Sequence, residues 1–145
     1  MPDSIPTSEG VVALFNASDD TVDMMQSLLT QSGSNQTLIS CHFADLKKGV
    51  IDVDKYLSKH NPEVVIFDLS PPYDQNWTYF TSMRHTAQMV GRGVVLTTTN
   101  KARLDEFVGE DSHALEVVGK VADLAAIDGA IKAETQKALE MRLAV

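Results

Sequence analysis

A single cysteine, Cys41, stands in 145 residues, so no internal disulfide can form and a reducing compartment is implied; the cytoplasm is the expectation. Long apolar runs are missing as well. None approaches the roughly 20 residues that a membrane-spanning helix needs. The first ten residues are polar, carry Pro2 and Pro6, and lack the basic start and apolar stretch of a signal peptide. Positive charge is scarce: 12 Lys and Arg stand against 20 Asp and Glu, a formal net charge of -8. That field repels a phosphate backbone, which argues against nucleic acid as the main partner. There is no Gly-rich phosphate loop and no Gly-x-Ser-x-Gly turn, and Gly91-x-Gly93 precedes a strand where a dinucleotide loop must follow one. His42, His60, His85 and His113 are scattered without the spacing of a zinc site.

What is present is an ordinary globular balance, 43% hydrophobic and 22% charged residues, in a length that suits one domain. Residues 1–10 read as a flexible arm and 11–145 as a single domain, within which strand-like and helix-like patterns alternate. Val11 to Phe15, Thr37 to Cys41, Val64 to Phe67, Val94 to Leu96 and Leu115 to Val118 read as strands. Helical spacing appears in Val22, Met25 and Leu29, in a weaker stretch from Ala44 to Lys59 interrupted by Gly49, and in Trp77, Phe80 and Met83. It returns after Asn100, a candidate cap, and in Leu124, Ile127 and Ile131, with Ala138 and Met141 continuing the last face. Near-continuous apolar strands with helical crossovers predict a doubly wound α/β fold, a flavodoxin-like parallel sheet of five strands in the order 2-1-3-4-5.

In such a sheet, ligands bind beyond the carboxyl ends of the strands where the order reverses, here between strands one and three. The residues delivered to that rim are Asn16 to Asp20 after strand one, Asp68 after strand three, Thr97 from strand four and Lys120 from strand five. Carboxylates, a hydroxyl and an ammonium on one rim suit a divalent cation beside a phosphoryl group, since Mg²⁺ takes oxygen ligands. Asp19 and Asp20 equally suit the positive end of the first helix dipole.

The segment Val64-Val65-Ile66-Phe67-Asp68-Leu69-Ser70-Pro71-Pro72, with Thr97 and Lys120 after the next two strands, resembles the receiver domain of two-component response regulators from about Val11 to Leu143. The resemblance implies Asp68 as phosphoacceptor, Thr97 and Lys120 on the phosphoryl oxygens, and Mg²⁺ held weakly or not at all by Asp68, the Ser70 carbonyl and Asp19 or Asp20. It implies a histidine kinase or phosphotransfer protein as donor, a downstream protein as target, and is compatible with a homodimer. With no effector segment after the last helix, output is expected to pass through protein contacts, from a phosphoacceptor module and not a turnover enzyme.

The chain departs from the family's pattern in named places. Asn16 and Ala17 stand where receivers carry two adjacent acids. Asn76 replaces a glycine eight residues after the acceptor, a mild change if the position is left-handed, which Asn tolerates. Val117 occupies the aromatic switch position. Val121 replaces the proline after the lysine; a cis bond before Val costs roughly 3 kcal/mol, so that peptide is expected to be trans and Lys120 aimed differently. The competing readings are a receiver-like interaction module that works without phosphorylation, and a small flavodoxin-like cofactor binder.

Overall fold

The computed structural model describes residues 10–16, 19–31, 37–117 and 121–143. It shows strands β1 (Val11–Asn16), β2 (Thr37–His42), β3 (Val64–Asp68), β4 (Gly93–Thr98) and β5 (Leu115–Glu116) in one parallel sheet of order β2-β1-β3-β4-β5. The helices are α1 (Asp19–Gln31), α2 (Phe43–Lys47), α3 (Val53–His60), α4 (Tyr73–Arg84), α5 (Lys101–Val108) and α6 (Val121–Leu143), with a 3-10 turn at Ala87–Met89. No helix among the described residues is long and apolar enough to cross a membrane.

All five residues of β3 are buried, which explains the unbroken apolar run that ends only at Asp68. Val65 and Phe67 face a core that includes Phe15, Phe43, Leu57 and Phe80. Val64 and Ile66 face the other, with Leu14, Met25, Ile127 and Ile131. The Phe67 ring lies at the centre of the larger core, 5.3 Å from Phe15, 4.8 Å from Phe80 and 6.3 Å from Phe43. Met25 and Met83 fill core positions as expected, whereas Met141 is 52% exposed and does not continue the inner face of α6.

The stretch from Ala44 to Lys59 is two helices and not one interrupted helix. Gly49 takes a left-handed φ of 76°, which ends α2, and the carboxylate of Asp52 then caps α3 by accepting the N–H groups of Asp54 and Lys55. The fifth strand is also shorter than expected, pairing only Leu115 and Glu116 with Thr97 and Thr98. Two residues before it, His113 sits at a left-handed φ of 62°. The loop that places it is tied to α5. Asp105 Oδ1 accepts the hydroxyl and N–H of Ser112, and Lys101 Nζ reaches Asp105 at 2.9 Å and Asp111 at 2.6 Å. The Lys101 ammonium, with Ser112, draws the Asp105 carboxyl down to about 2. Of the predicted arm, residues 1–9 lie outside the described residues; Gly10 is buried, and its carbonyl accepts the N–H of Thr37 at 2.9 Å.

Gly93 opens β4 beside Glu134 of α6. A Cβ there would meet Glu134 Cβ at 2.6 Å and its carbonyl oxygen at 2.9 Å, and the latter is backbone that cannot swing aside. Gly93→Ala is therefore expected to destabilise the fold by about 1–3 kcal/mol, read as a lower denaturant midpoint at unchanged slope.

Candidate functional site at the carboxyl ends of the strands

The parallel register places Asp68, the last residue of β3, directly opposite Thr97 of β4. Both are buried, at 7% and 0% exposure, and the Thr97 hydroxyl donates to Asp68 Oδ1 at 2.9 Å. The main chain closes the same corner, since Leu69 N–H donates to the Thr97 carbonyl at 2.8 Å. A strand-end acid belonging only to a turn would point to water; this one is drawn under the rim. On the other side β1 pairs Phe15 with Phe67, so Asn16 comes level with Asp68, and the backbone of α1 starts at Asp19 beside them. The side chains of Asn16, Asp19 and Asp20, and the whole of Lys120, lie outside the described residues. The peptide expected to be trans, between Lys120 and Val121, is outside them too.

The loop after Asp68 is held by a residue expected to do something else. Asn76 is a helical residue of α4, and the non-glycine residues with positive φ among those described are Asn61 and His113, so Asn76 is no stand-in for a left-handed glycine. Its side chain is buried and turns back over the loop, where Nδ2 donates to the Ser70 carbonyl at 2.6 Å. The amide oxygen of Asn76 in turn accepts from the Lys47 ammonium, which also lies 5.9 Å from the Phe43 ring centre. Ser70 Oγ is buried without a hydrogen-bond partner among the described residues. Tyr73 and Trp77 pack inward beside this loop, Tyr73 against Phe107 at 5.8 Å and Trp77 against Phe80 at 5.3 Å.

Lys47 was not among the residues the sequence singled out, and no local signal could have found it. It lies on a five-residue helix, and only the packing of α2 against α4, through Phe43 and Tyr79 at 5.8 Å, brings it to Asn76.

Two of the Mg²⁺ donors that the resemblance implies, the Asp68 carboxylate and the Ser70 carbonyl, are among the described residues. They offer one carboxylate, whose Oδ1 already accepts the Thr97 hydroxyl, and one carbonyl that accepts an amide N–H. No group of three or more His, Cys, Asp or Glu that could hold a metal ion occurs among the described residues. Elsewhere Cys41 is buried in the core, and burial pushes its thiol up to about 12, which leaves it neutral and inert.

No protein-family model and no curated protein matches the chain. Solved structures do. A sensor protein from Polaromonas sp. JS666 superposes with a TM-score of 0.64 at 12% identity, covering 89% of this chain and 98% of its own. A transiently phosphorylated "switch" of bacterial signal transduction gives 0.58 at 15%, covering 90% and 98%. The Mn²⁺-bound form of the response regulator Rcp1 gives 0.55 at 16%, covering 87% and 92%. These likenesses show that the chain has the receiver fold of response regulators.

Thr97→Val keeps the shape of the buried side chain and deletes the donor to Asp68. It is expected to cost about 1–3 kcal/mol in a urea titration, because a buried acceptor loses its partner. Thr97→Ser, which retains the hydroxyl, should cost less.

Proposed function

We propose that the chain is a receiver-like signalling domain that accepts a phosphoryl group on Asp68. The observation that carries the reading is the Thr97 hydroxyl seated on the Asp68 carboxylate at the point where the strand order reverses. A carboxylate oxygen of Asp68 attacks phosphorus of a phosphohistidine on a kinase or phosphotransfer partner. The P–N bond breaks as the O–P bond forms, and the imidazole leaves with a proton taken from solvent. Thr97 then turns its hydroxyl to a phosphoryl oxygen, and Lys120 supplies positive charge to another. A downstream protein reads the altered rim. The reading includes a cytoplasmic setting, compatible with the single buried thiol of Cys41.

A second reading is favoured by a specific observation. The Ser70 carbonyl, which the resemblance assigns to the cation, is held by Asn76, and Asn16 and Ala17 stand in place of acids. On that reading the domain binds its partner in one state, without phosphorylation.

Intact-mass measurement after incubation with acetyl phosphate, with and without Mg²⁺, separates the two. One phosphoryl adduct is expected on the wild type and none on Asp68→Asn. A folded wild type that gains no adduct leaves the phosphorylation-independent module. The double change Asn16→Asp, Ala17→Asp restores the missing acids. It should tighten Mg²⁺ on the order of tenfold or more, because Mg²⁺ sites use one or two carboxylates plus waters. Calorimetric titration checks this, and equal affinities would mean that Asp19 or Asp20 already serves, or that the rim takes no Mg²⁺.

A further inference from the structure

The side chain that meets the Ser70 carbonyl can face it in one way only. An ammonium donates and never accepts, so the Asn76 atom turned to Lys47 must be the amide oxygen. A carbonyl accepts and never donates, so the atom turned to Ser70 must be Nδ2, at 2.6 Å. The three groups therefore form a chain of donors with a single direction, from Lys47 through Asn76 to the oxygen of Ser70. The charge at its head polarises the amide and strengthens the last donor.

Both side chains are placed by packing. Asn76 is 3% exposed, and its N–H donates to the Pro72 carbonyl at 3.1 Å, which seats it in the first turn of α4. Lys47 is exposed on α2, and its ammonium lies 5.9 Å from the Phe43 ring centre. Phe43 in turn packs on Phe67 and on Tyr79 of α4. The carbonyl they address stands two residues beyond Asp68, and Leu69 between them is tied to β4.

We infer that Asn76, oriented by Lys47, is a positioning residue that lowers the affinity of the rim for a divalent cation by competing for the Ser70 carbonyl. The inference rests on the receiver-like reading of the rim and not on phosphorylation of Asp68. A carbonyl oxygen has two lone pairs, so one amide does not fill it. It does leave the oxygen facing a positively polarised hydrogen with an ammonium behind, and a divalent cation must approach against both. The two do not weigh equally. Lys47 is exposed and water screens its charge, whereas the Asn76 amide acts from within the fold at hydrogen-bond distance. Removing the amide should therefore matter more than removing the ammonium.

The test is calorimetric titration with Mg²⁺ alone, on the full chain and on its Asn16→Asp, Ala17→Asp form. The second form carries the comparison where the first binds too weakly to titrate. Asn76→Ala, well suited to a helix, is expected to tighten Mg²⁺ about tenfold, and Lys47→Met about threefold. Lys47→Arg keeps a charged donor and should restore the parental value. A merely structural role predicts the reverse, since a loosened loop presents its oxygens less well. The Asn76 side-chain amide, identified in a nitrogen-15 spectrum by its loss in Asn76→Ala, should also shift as Mg²⁺ saturates the rim. Unchanged or weaker Mg²⁺ binding by folded Asn76→Ala, or no Mg²⁺ binding by any form, would overturn the inference. Should Asn76→Ala fail to fold, the surface change Lys47→Met decides by the same criterion. The phosphorylation reading stands or falls separately. An adduct on Asp68 with unchanged Mg²⁺ affinities would overturn the inference alone, and tighter Mg²⁺ without any adduct would support it alone.

Discussion

The double-sided burial of β3 is the constraint on which the rest of the molecule depends. Both cores are built against this one strand, Phe67 and Val65 on one side and Ile66 and Val64 on the other. Fully burying a side chain of this size contributes about 1.5–3 kcal/mol, so the register of β3 is set firmly on both faces. A slip of one residue would exchange the two cores and drive Asp68 into one of them. The acid at the end of the strand is thereby held to one depth, and its parallel neighbour, Thr97, to the position opposite.

From that fixed point the surrounding rim is organised by hydrogen bonds that neighbouring elements supply. Thr97 addresses the carboxylate, Asn76 folds back on the Ser70 carbonyl, and Lys47 arrives from α2 to meet the Asn76 amide. An amide donor and an ammonium thus stand beside a carbonyl that, in the receiver pattern, faces a cation. The Lys47 ammonium reaches this carbonyl only through the Asn76 amide, which accepts from the one and donates to the other.

The approach to β5 is shaped by a different local device. Asp105 and Lys101 anchor the loop before β5, and His113 adopts a conformation that few non-glycine residues take. Together they precede the entry of β5 at Leu115, opposite Thr97.

Most of the architecture was legible in the residues. Unbroken apolar runs such as Val64 to Phe67, and turns such as Asn61-Pro62, are local signals whose meaning hardly depends on the remainder of the chain. The reading failed where two local signals competed. Gly49 was taken as a flaw in one helix when Asp52 beyond it starts another, and the fifth strand starts at Leu115 as read but ends at Glu116, with Val118 outside the described residues.

The alternation of strands and helices and the arrival of Asp68 at the end of β3 follow from the sequence by itself, because hydrophobic periodicity marks them, while the resemblance to receivers implied the strand order and the place of Thr97. The role of Asn76 and the arrival of Lys47 at its amide were decided only by the tertiary structure. Each depends on where a helix or loop lands after the cores have packed, over sequence separations that carry no local pattern. Lys47 and Asn76 are 29 residues apart and meet because Phe43 and Tyr79 pack α2 against α4.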